Sequence, residues 1–385
     1  RIAPVFRGLR ASGQVSASRA VLRCHRRPPG YTPARRVWSV TLAGKSAAGR
    51  GSAKPPSGKP AAPPPGPWSR PALWLIAAAF VAVLGLAIYY AAPRPEGGTV
   101  SETGTEPGLV ARVESLYNDI YVYREPNGFY RLSFGAERLR YTESVVNPAD
   151  PLDLPVYYTQ GMTAGLAYAS ALEDAAIIGL GGGRTAWYHH KSVPGLSMTA
   201  VELDPEVVRV AERFFKVAPE PGFDIAVMDG RVWLSKTDRM FDIVMVDAYR
   251  GPFVPFHLLT TEFYELVAKH LKPGGVVVQN VEPSTMLFDP AVATIRSAFE
   301  HVVFLEGRGN IVVLAYNGPL KDDATVARQA AERQAEYGFR YDLTKILDRR
   351  FEPDVDATAR ALTDDFAPVE YLKAIERHNE KRTSS

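Results

Sequence analysis

Five short apolar runs occupy the middle of this chain: AAIIGL at 175–180, MTAVEL at 198–203, DIAVMD at 224–229, DIVMVD at 242–247 and GVVVQNV at 275–281. Stretches with helical character separate them, and strand alternating with helix at this spacing indicates βα units on a mostly parallel sheet. Two further runs, HVVFLEG and NIVVLAY within 301–316, read as a hairpin closing that sheet. Upstream, residues 110–145 change period: Ile120, Val122, Tyr130, Leu132 and Phe134 alternate with polar neighbours around the turn signal Glu125-Pro126-Asn127-Gly128. That pattern predicts short antiparallel strands. The fold class expected is therefore α/β, a doubly wound sheet preceded by a small antiparallel β domain.

The ends of the chain are of another kind. Residues 1–70 contain 14 Lys and Arg but no Asp or Glu, and are rich in Pro, Ala, Gly and Ser. Such a segment cannot bury enough apolar surface to offset the entropy of ordering, so disorder is expected. The chain starts at Arg1 and its first methionine is Met162; no function is built on this tail. Residues 72–92 are twenty-one uncharged residues with Trp74 and Tyr89-Tyr90 near the two ends. This is the length and the aromatic placing of a helix that crosses a bilayer, and a single membrane span is expected, ahead of a buried core helix or a cleaved signal peptide. The dense positive charge before it places the N-terminus in the cytoplasm and residues 93–385 outside.

Residues 93–385 retain 31 of the 45 Lys and Arg and all 42 Asp and Glu, a net charge of −11. An acidic body argues against a nucleic-acid partner. The single cysteine, Cys24, lies in the tail, so the body has no disulfide, no cysteine-based zinc site and no cysteine nucleophile. The expected division is a linker at 93–109, a β-rich domain at 110–156, an α/β domain at 157–320 and a helical, charged extension at 321–385.

At the end of the first run stands Gly179-Leu180-Gly181-Gly182-Gly183, followed by a plausible helix from Arg184. Glycines at a strand-to-helix turn let backbone approach a ligand and aim amides at it. Glu202 closes the next strand 23 residues after Gly179, where a carboxylate can accept both ribose hydroxyls of a nucleoside. Asp229 ends the third strand and Asp247 the fourth. The carboxyl ends of strands line the ligand crevice of a doubly wound sheet, so all of these converge on one pocket. Helix N-capping is the alternative for any one acid, as Asp204 before Pro205 illustrates.

These strings, together with FDIVMVDAYRGP, TTEFYELV, LKPGG and the upstream SLYNDIYVY, resemble the spermidine synthase family and, more widely, class I S-adenosylmethionine-dependent methyltransferases. LTDDFAPVEYL at 362–372 is most similar to the membrane-associated spermidine-synthase-like branch. The resemblance covers about 110–316 and implies a Rossmann-like sheet of the class I methyltransferase type. It implies that Gly179, Gly181, Gly183 and Gly230 support the cofactor, decarboxylated S-adenosylmethionine or S-adenosylmethionine itself. Glu202 would hold the ribose, Asp229 the adenine amino group, and Asp247 would be the catalytic base. It further implies a small-molecule amine acceptor, no metal, and a homodimer through the β-rich segment. Elementary chemistry agrees on the base, because the attacking amine must be neutral and a carboxylate within reach accepts its proton and holds it in line.

The departures from the family are as informative. Arg250, in Asp247-Ala248-Tyr249-Arg250-Gly251-Pro252, stands where the family has a second, diamine-gripping acid. It either binds a carboxylate in a bidentate manner, or points to solvent or pairs with Asp364 or Asp365. Gly182 replaces an acid of the family's glycine loop, and the family's polyamine-gripping Tyr-Gln pair has no clean match around Tyr158 and Gln160. Tyr249 either lays its ring on a cation or packs. His189-His190 read as surface histidines, His257 as packing, and Asp364-Asp365 as caps of a helix at 367–380 or replacement acids in the pocket. The leading function is aminopropyl transfer, with an S-adenosylmethionine-dependent small-molecule methyltransferase and a catalytically silent nucleoside-binding membrane module as alternatives. Exported placement of the body conflicts with all three, since such nucleosides are kept in the cytoplasm.

Overall fold

The computed structural model describes residues 106–135, 141–249 and 253–366. The tail at 1–70, the span expected at 72–92, Arg250 and the helix expected at 367–380 lie outside the described residues. Among those described, no helix is long and apolar enough to cross a membrane.

The alternating segment forms a four-stranded antiparallel meander, β1 (Gly108–Glu114), β2 (Asp119–Arg124), β3 (Tyr130–Phe134) and β4 (Tyr141–Val146), paired in that order. The expected turn joins β2 to β3: Gly128 N donates to Glu125 O at 2.8 Å, and Gly128 takes a φ of 83° that other residues resist. Ile120, Val122 and Leu132 are fully buried. One irregularity matters later. Leu132 pairs with Ser144 and Ser133 with Thr142, so Glu143 is an extra residue on β4, a β-bulge.

The second sheet has eight strands. In chain order come α1 (Tyr157–Met162), α2 (Gly165–Tyr168), β5 (Asp174–Ile178), α3 (Arg184–Ser192), β6 (Ser197–Glu202), α4 (Pro205–Val210), β7 (Phe223–Val227), α5 (Gly230–Lys236) and β8 (Phe241–Val246). They are followed by α6 (Thr261–Lys269), β9 (Leu271–Val281), α7 (Phe288–Ala298), β10 (His301–Glu306), β11 (Ile311–Tyr316), α8 (Asp323–Tyr337), α9 (Leu343–Leu347) and β12 (Arg350–Phe351). Strand order is β12-β10-β11-β9-β8-β5-β6-β7. The five strands from β7 to β9 are parallel, and β11, β10 and β12 are antiparallel. The hairpin β10–β11 closes the sheet as expected. The stretch after 321, expected to be mainly helical, also supplies the edge strand β12.

The apolar runs lack strict alternation because both faces of this sheet are covered. Ala175, Ile177, Ile243 and Met245 pack on one face with Leu166 and Leu343. Ala176, Ile178, Val244 and Val246 pack on the other with Leu234, Phe263 and Ile295. Fully burying each of the larger apolar side chains among them is worth about 1.5–3 kcal/mol. The chain runs outward from β5 through β6 to β7, then returns to start β8 on the other side of β5. That reversal leaves a crevice beyond the carboxyl ends of β5 and β8, which is where such sheets bind ligands.

At the opposite end of the same strands Lys272 Nζ donates to Asp174 at 2.7 Å, Asp242 at 3.1 Å and Glu173 at 3.2 Å. Burial lowers its pKa, and the hydrogen bonds to these carboxylates more than reverse that and raise it. His189 corrects the surface expectation: it is fully buried, its Nδ1 on Thr185 O at 2.8 Å, and burial lowers its pKa to about 4. His190 is half-buried between Leu196 O and Glu220.

Candidate active site

A cavity of about 340 Å³ opens at the switch point. Gly179 is its floor. A Cβ there would lie 2.3 Å from Asp247 O, and its φ is 97°, so two strand ends meet only because this residue has no side chain. Gly181, with a φ of 53°, has open space where a Cβ would be and lines the cavity. Gly183 is different: it starts α3 in the left-handed region, and a Cβ would strike Val217 at 2.7 Å, so its need for glycine is a packing need. Gly230 lines the cavity, where a Cβ would strike Ile178 at 2.2 Å.

Glu202 is held against the glycine turn, accepting from Leu180 N at 3.0 Å, Gly181 N at 3.4 Å and Asp204 N at 3.0 Å. Burial raises its pKa, and the backbone donors partly offset that. Asp229 lines the cavity and also caps a helix, the alternative that the sequence offered. Its Oδ1 caps α5 by accepting from Val232 N at 2.9 Å, and its Oδ2 lies 2.8 Å from His257 Nε2. His257 lines the cavity.

Asp247 follows β8 at the centre of the crevice. Asn280 Nδ2 donates to its Oδ1 at 2.9 Å and the Tyr158 hydroxyl to its Oδ2 at 3.2 Å. Burial pushes its carboxyl up to about 6, against the pull of those two hydrogen bonds. Such a group is ionised at neutral pH and poised to take a proton. Tyr249 donates from its hydroxyl to Asn280 O at 3.0 Å, so its polar end braces the residue that braces Asp247.

Sequence reasoning missed three contributors. Tyr158, set aside as no match, donates to Asp247, whereas Gln160 turns to Leu154 O and Arg349. Asn280 could have been found, because it stands at the carboxyl end of its strand by the same rule that singled out Asp247. Glu143 lines the cavity from the small sheet, and nothing in the local pattern distinguishes it from a solvent-facing strand residue. Asp364 does not line the cavity: it forms a bidentate pair with Arg231 at 2.7 and 2.6 Å and accepts from Thr260. A side chain at Gly182 would meet Ser144 Oγ at 2.5 Å and Phe215 at 2.6 Å, which leaves no room for an acid there.

A glycine turn, a carboxylate closing the second strand and acids at the third and fourth strand ends stand on a sheet reversing beside β5, and the chain has the Rossmann-like fold of the class I methyltransferases. The family model described as "Spermine/spermidine synthase domain" matches residues 159–313. The polyamine aminopropyltransferase of Vibrio vulnificus (strain CMCP6) is 32% identical over 275 residues, covering 69% of this chain and 91% of that one. A probable polyamine aminopropyl transferase of Bifidobacterium longum (strain NCC 2705) is 28% identical, covering 56% and 52%. Among solved structures, a probable spermidine synthase from Corynebacterium glutamicum ATCC 13032 shares the fold with a TM-score of 0.52 at 21% identity, covering 66% of this chain and 96% of that one. A spermidine synthase in complex with the transition state analogue AdoDATO shares it with a TM-score of 0.51 at 18% identity, covering 64% and 84%. The chain belongs to the spermine/spermidine synthase family.

Proposed function

We propose that this protein transfers an aminopropyl group from decarboxylated S-adenosylmethionine to an amine, with Asp247 as the base. The observation that carries the reading is the Asp247 carboxylate: buried at the switch point, oriented by Tyr158 and Asn280, and set beside a glycine turn that Glu202 braces. The site fits the nucleoside, since Gly181 leaves open space and Glu202, with three backbone donors already, keeps one lone pair on Oε1 for a ribose hydroxyl. Gly179, Gly181 and Gly230 then carry the adenosyl part, Gly183 shapes the turn beneath it, and Asp229 with His257 faces the adenine.

The co-substrate supplies an electrophilic carbon beside a sulfonium. The amine nitrogen attacks that carbon, the carbon–sulfur bond breaks, and its electron pair stays on sulfur to leave neutral methylthioadenosine. Asp247 takes the proton that the new C–N bond makes acidic. Tyr158 and Asn280 hold the carboxylate so that one lone pair faces the nitrogen, and Tyr249 lends its ring to the wall.

Mass spectrometry of reactions with decarboxylated S-adenosylmethionine and a panel of diamines tests this. Wild type is expected to add one aminopropyl unit, and Asp247→Asn to lower kcat/KM by roughly 10²–10⁴-fold, as for loss of a general base, with methylthioadenosine still bound. Methyl transfer from S-adenosylmethionine, or no product from either nucleoside, would overturn it. Two further parts of the proposal lie apart from the site: residues 72–92 anchor the chain in a membrane, and the β-rich segment pairs two copies.

A further inference from the structure

Among the described residues, Glu143 is the one carboxylate of the cavity that has no visible employment. It lines the cavity, and its Oε1 is sealed from solvent with no hydrogen-bond partner. Buried carboxylate oxygens are ordinarily paired, and an orphan is a place where a ligand donor is missing. The chain takes trouble to put it there. Glu143 is the extra residue of the β4 bulge, the device by which a strand shifts its register by one residue and re-aims a side chain. Its neighbour Ser144 closes the space beside Gly182, so the glycine turn itself can offer no acid.

Glu143 lines the same cavity as two other carboxylates, Glu202 and Asp247. Burial raises its pKa well above the usual range, and the charges of Asp247 and Glu202 raise it further. Glu202 marks the ribose end and Asp247 the reacting end, so what lies between them is the sulfonium and its aminopropyl chain. A sulfonium has no N–H to give. The primary ammonium at the end of that chain has three.

We infer that Glu143 selects the co-substrate: its carboxylate accepts from the aminopropyl ammonium of decarboxylated S-adenosylmethionine and repels the α-carboxylate that undecarboxylated S-adenosylmethionine carries. This rests on the proposed function and adds to it which residue tells the two nucleosides apart. It also places the discriminating anion on the small sheet, apart from the strand ends that carry the base.

The full-length chain and its Glu143→Gln variant, titrated calorimetrically with decarboxylated S-adenosylmethionine, S-adenosylmethionine and methylthioadenosine, decide the matter. Methylthioadenosine has no aminopropyl chain and reports whether the nucleoside pocket is intact. Wild type is expected to prefer the decarboxylated form, and the variant to bind it roughly 10- to 100-fold more weakly, the range for losing a hydrogen bond to a charged group. Its affinity for S-adenosylmethionine should hold or rise, and for methylthioadenosine change less than about threefold, a shift within ordinary context effects. If the decarboxylated form and methylthioadenosine weaken together, Glu143 is structural and the inference falls while the proposed function stands. If wild type binds none of the three, both fall.

Discussion

Asp247 carries its charge where water scarcely reaches, and that has a cost that can be measured apart from catalysis. Its pKa rises from 3.8 in the ordinary state to about 6 in the fold. Below about pH 4 the group is protonated whether the chain is folded or not, and the fold loses nothing by burying it. As the pH climbs through 6 the folded carboxyl must ionise against its surroundings, so stability drains away over that window. Asp247→Asn keeps the shape and the acceptor for Asn280. It is expected to leave the melting temperature near pH 4 almost unchanged and to add roughly 1–3 kcal/mol at pH 8. Thermal melts of both proteins at the two pH values check this, and a variant that is less stable at pH 8 contradicts it. A site that destabilises the fold around it is what function, and not packing, explains. The same physics explains why Tyr158 and Glu143 escaped notice in the sequence. Their importance comes from a neighbour 89 residues away or from a bulge, and neither leaves a local pattern.

At the scale of elements the sequence was far more legible. The five apolar runs are the five parallel strands, and the glycine turn and the start of α3 at Arg184 lie where their residues place them. Burial on both faces writes itself into composition, which is why these were readable. β12 was not: two residues on the edge of β10 carry no periodicity at all. The polar cluster at the far end of β5, β8 and β9 was also invisible, because Asp174, Asp242 and Lys272 are scattered in sequence and meet only when the strands align. Asp242 has a side chain only 4% exposed, and its Oδ2 accepts from two backbone amides as well as from Lys272. Lys272→Met removes the cation and leaves that carboxylate unpaired, so a loss of about 2–4 kcal/mol is expected from chemical denaturation. Methylthioadenosine affinity should not follow, since the cluster is at the opposite end of the strands from the cavity. An unchanged denaturation midpoint would show the pair to be dispensable.

For the whole molecule, charge and hydropathy divide the chain into a basic tail, an uncharged segment and an acidic body. The membrane anchor that we propose at 72–92 makes a plain prediction: full-length protein expressed in bacteria stays in the membrane fraction through an alkaline carbonate wash, and deletion of 72–92 releases it. Release of the undeleted chain by the wash would set the anchor aside. Within the body the small sheet is tied to the large one by Asn118, whose Nδ2 donates to Asp204 at 3.3 Å, and by the cavity that both line. The β4 bulge gives this arrangement an evolutionary consequence. On the proposed reading, the base hangs from the large sheet, whereas the residue that we infer to choose between donors hangs from one inserted position in the small one. Inheritance of choice and of chemistry is thereby uncoupled: a lineage can lose or regain a preference by gaining or losing one strand residue, with the bond-breaking apparatus left untouched.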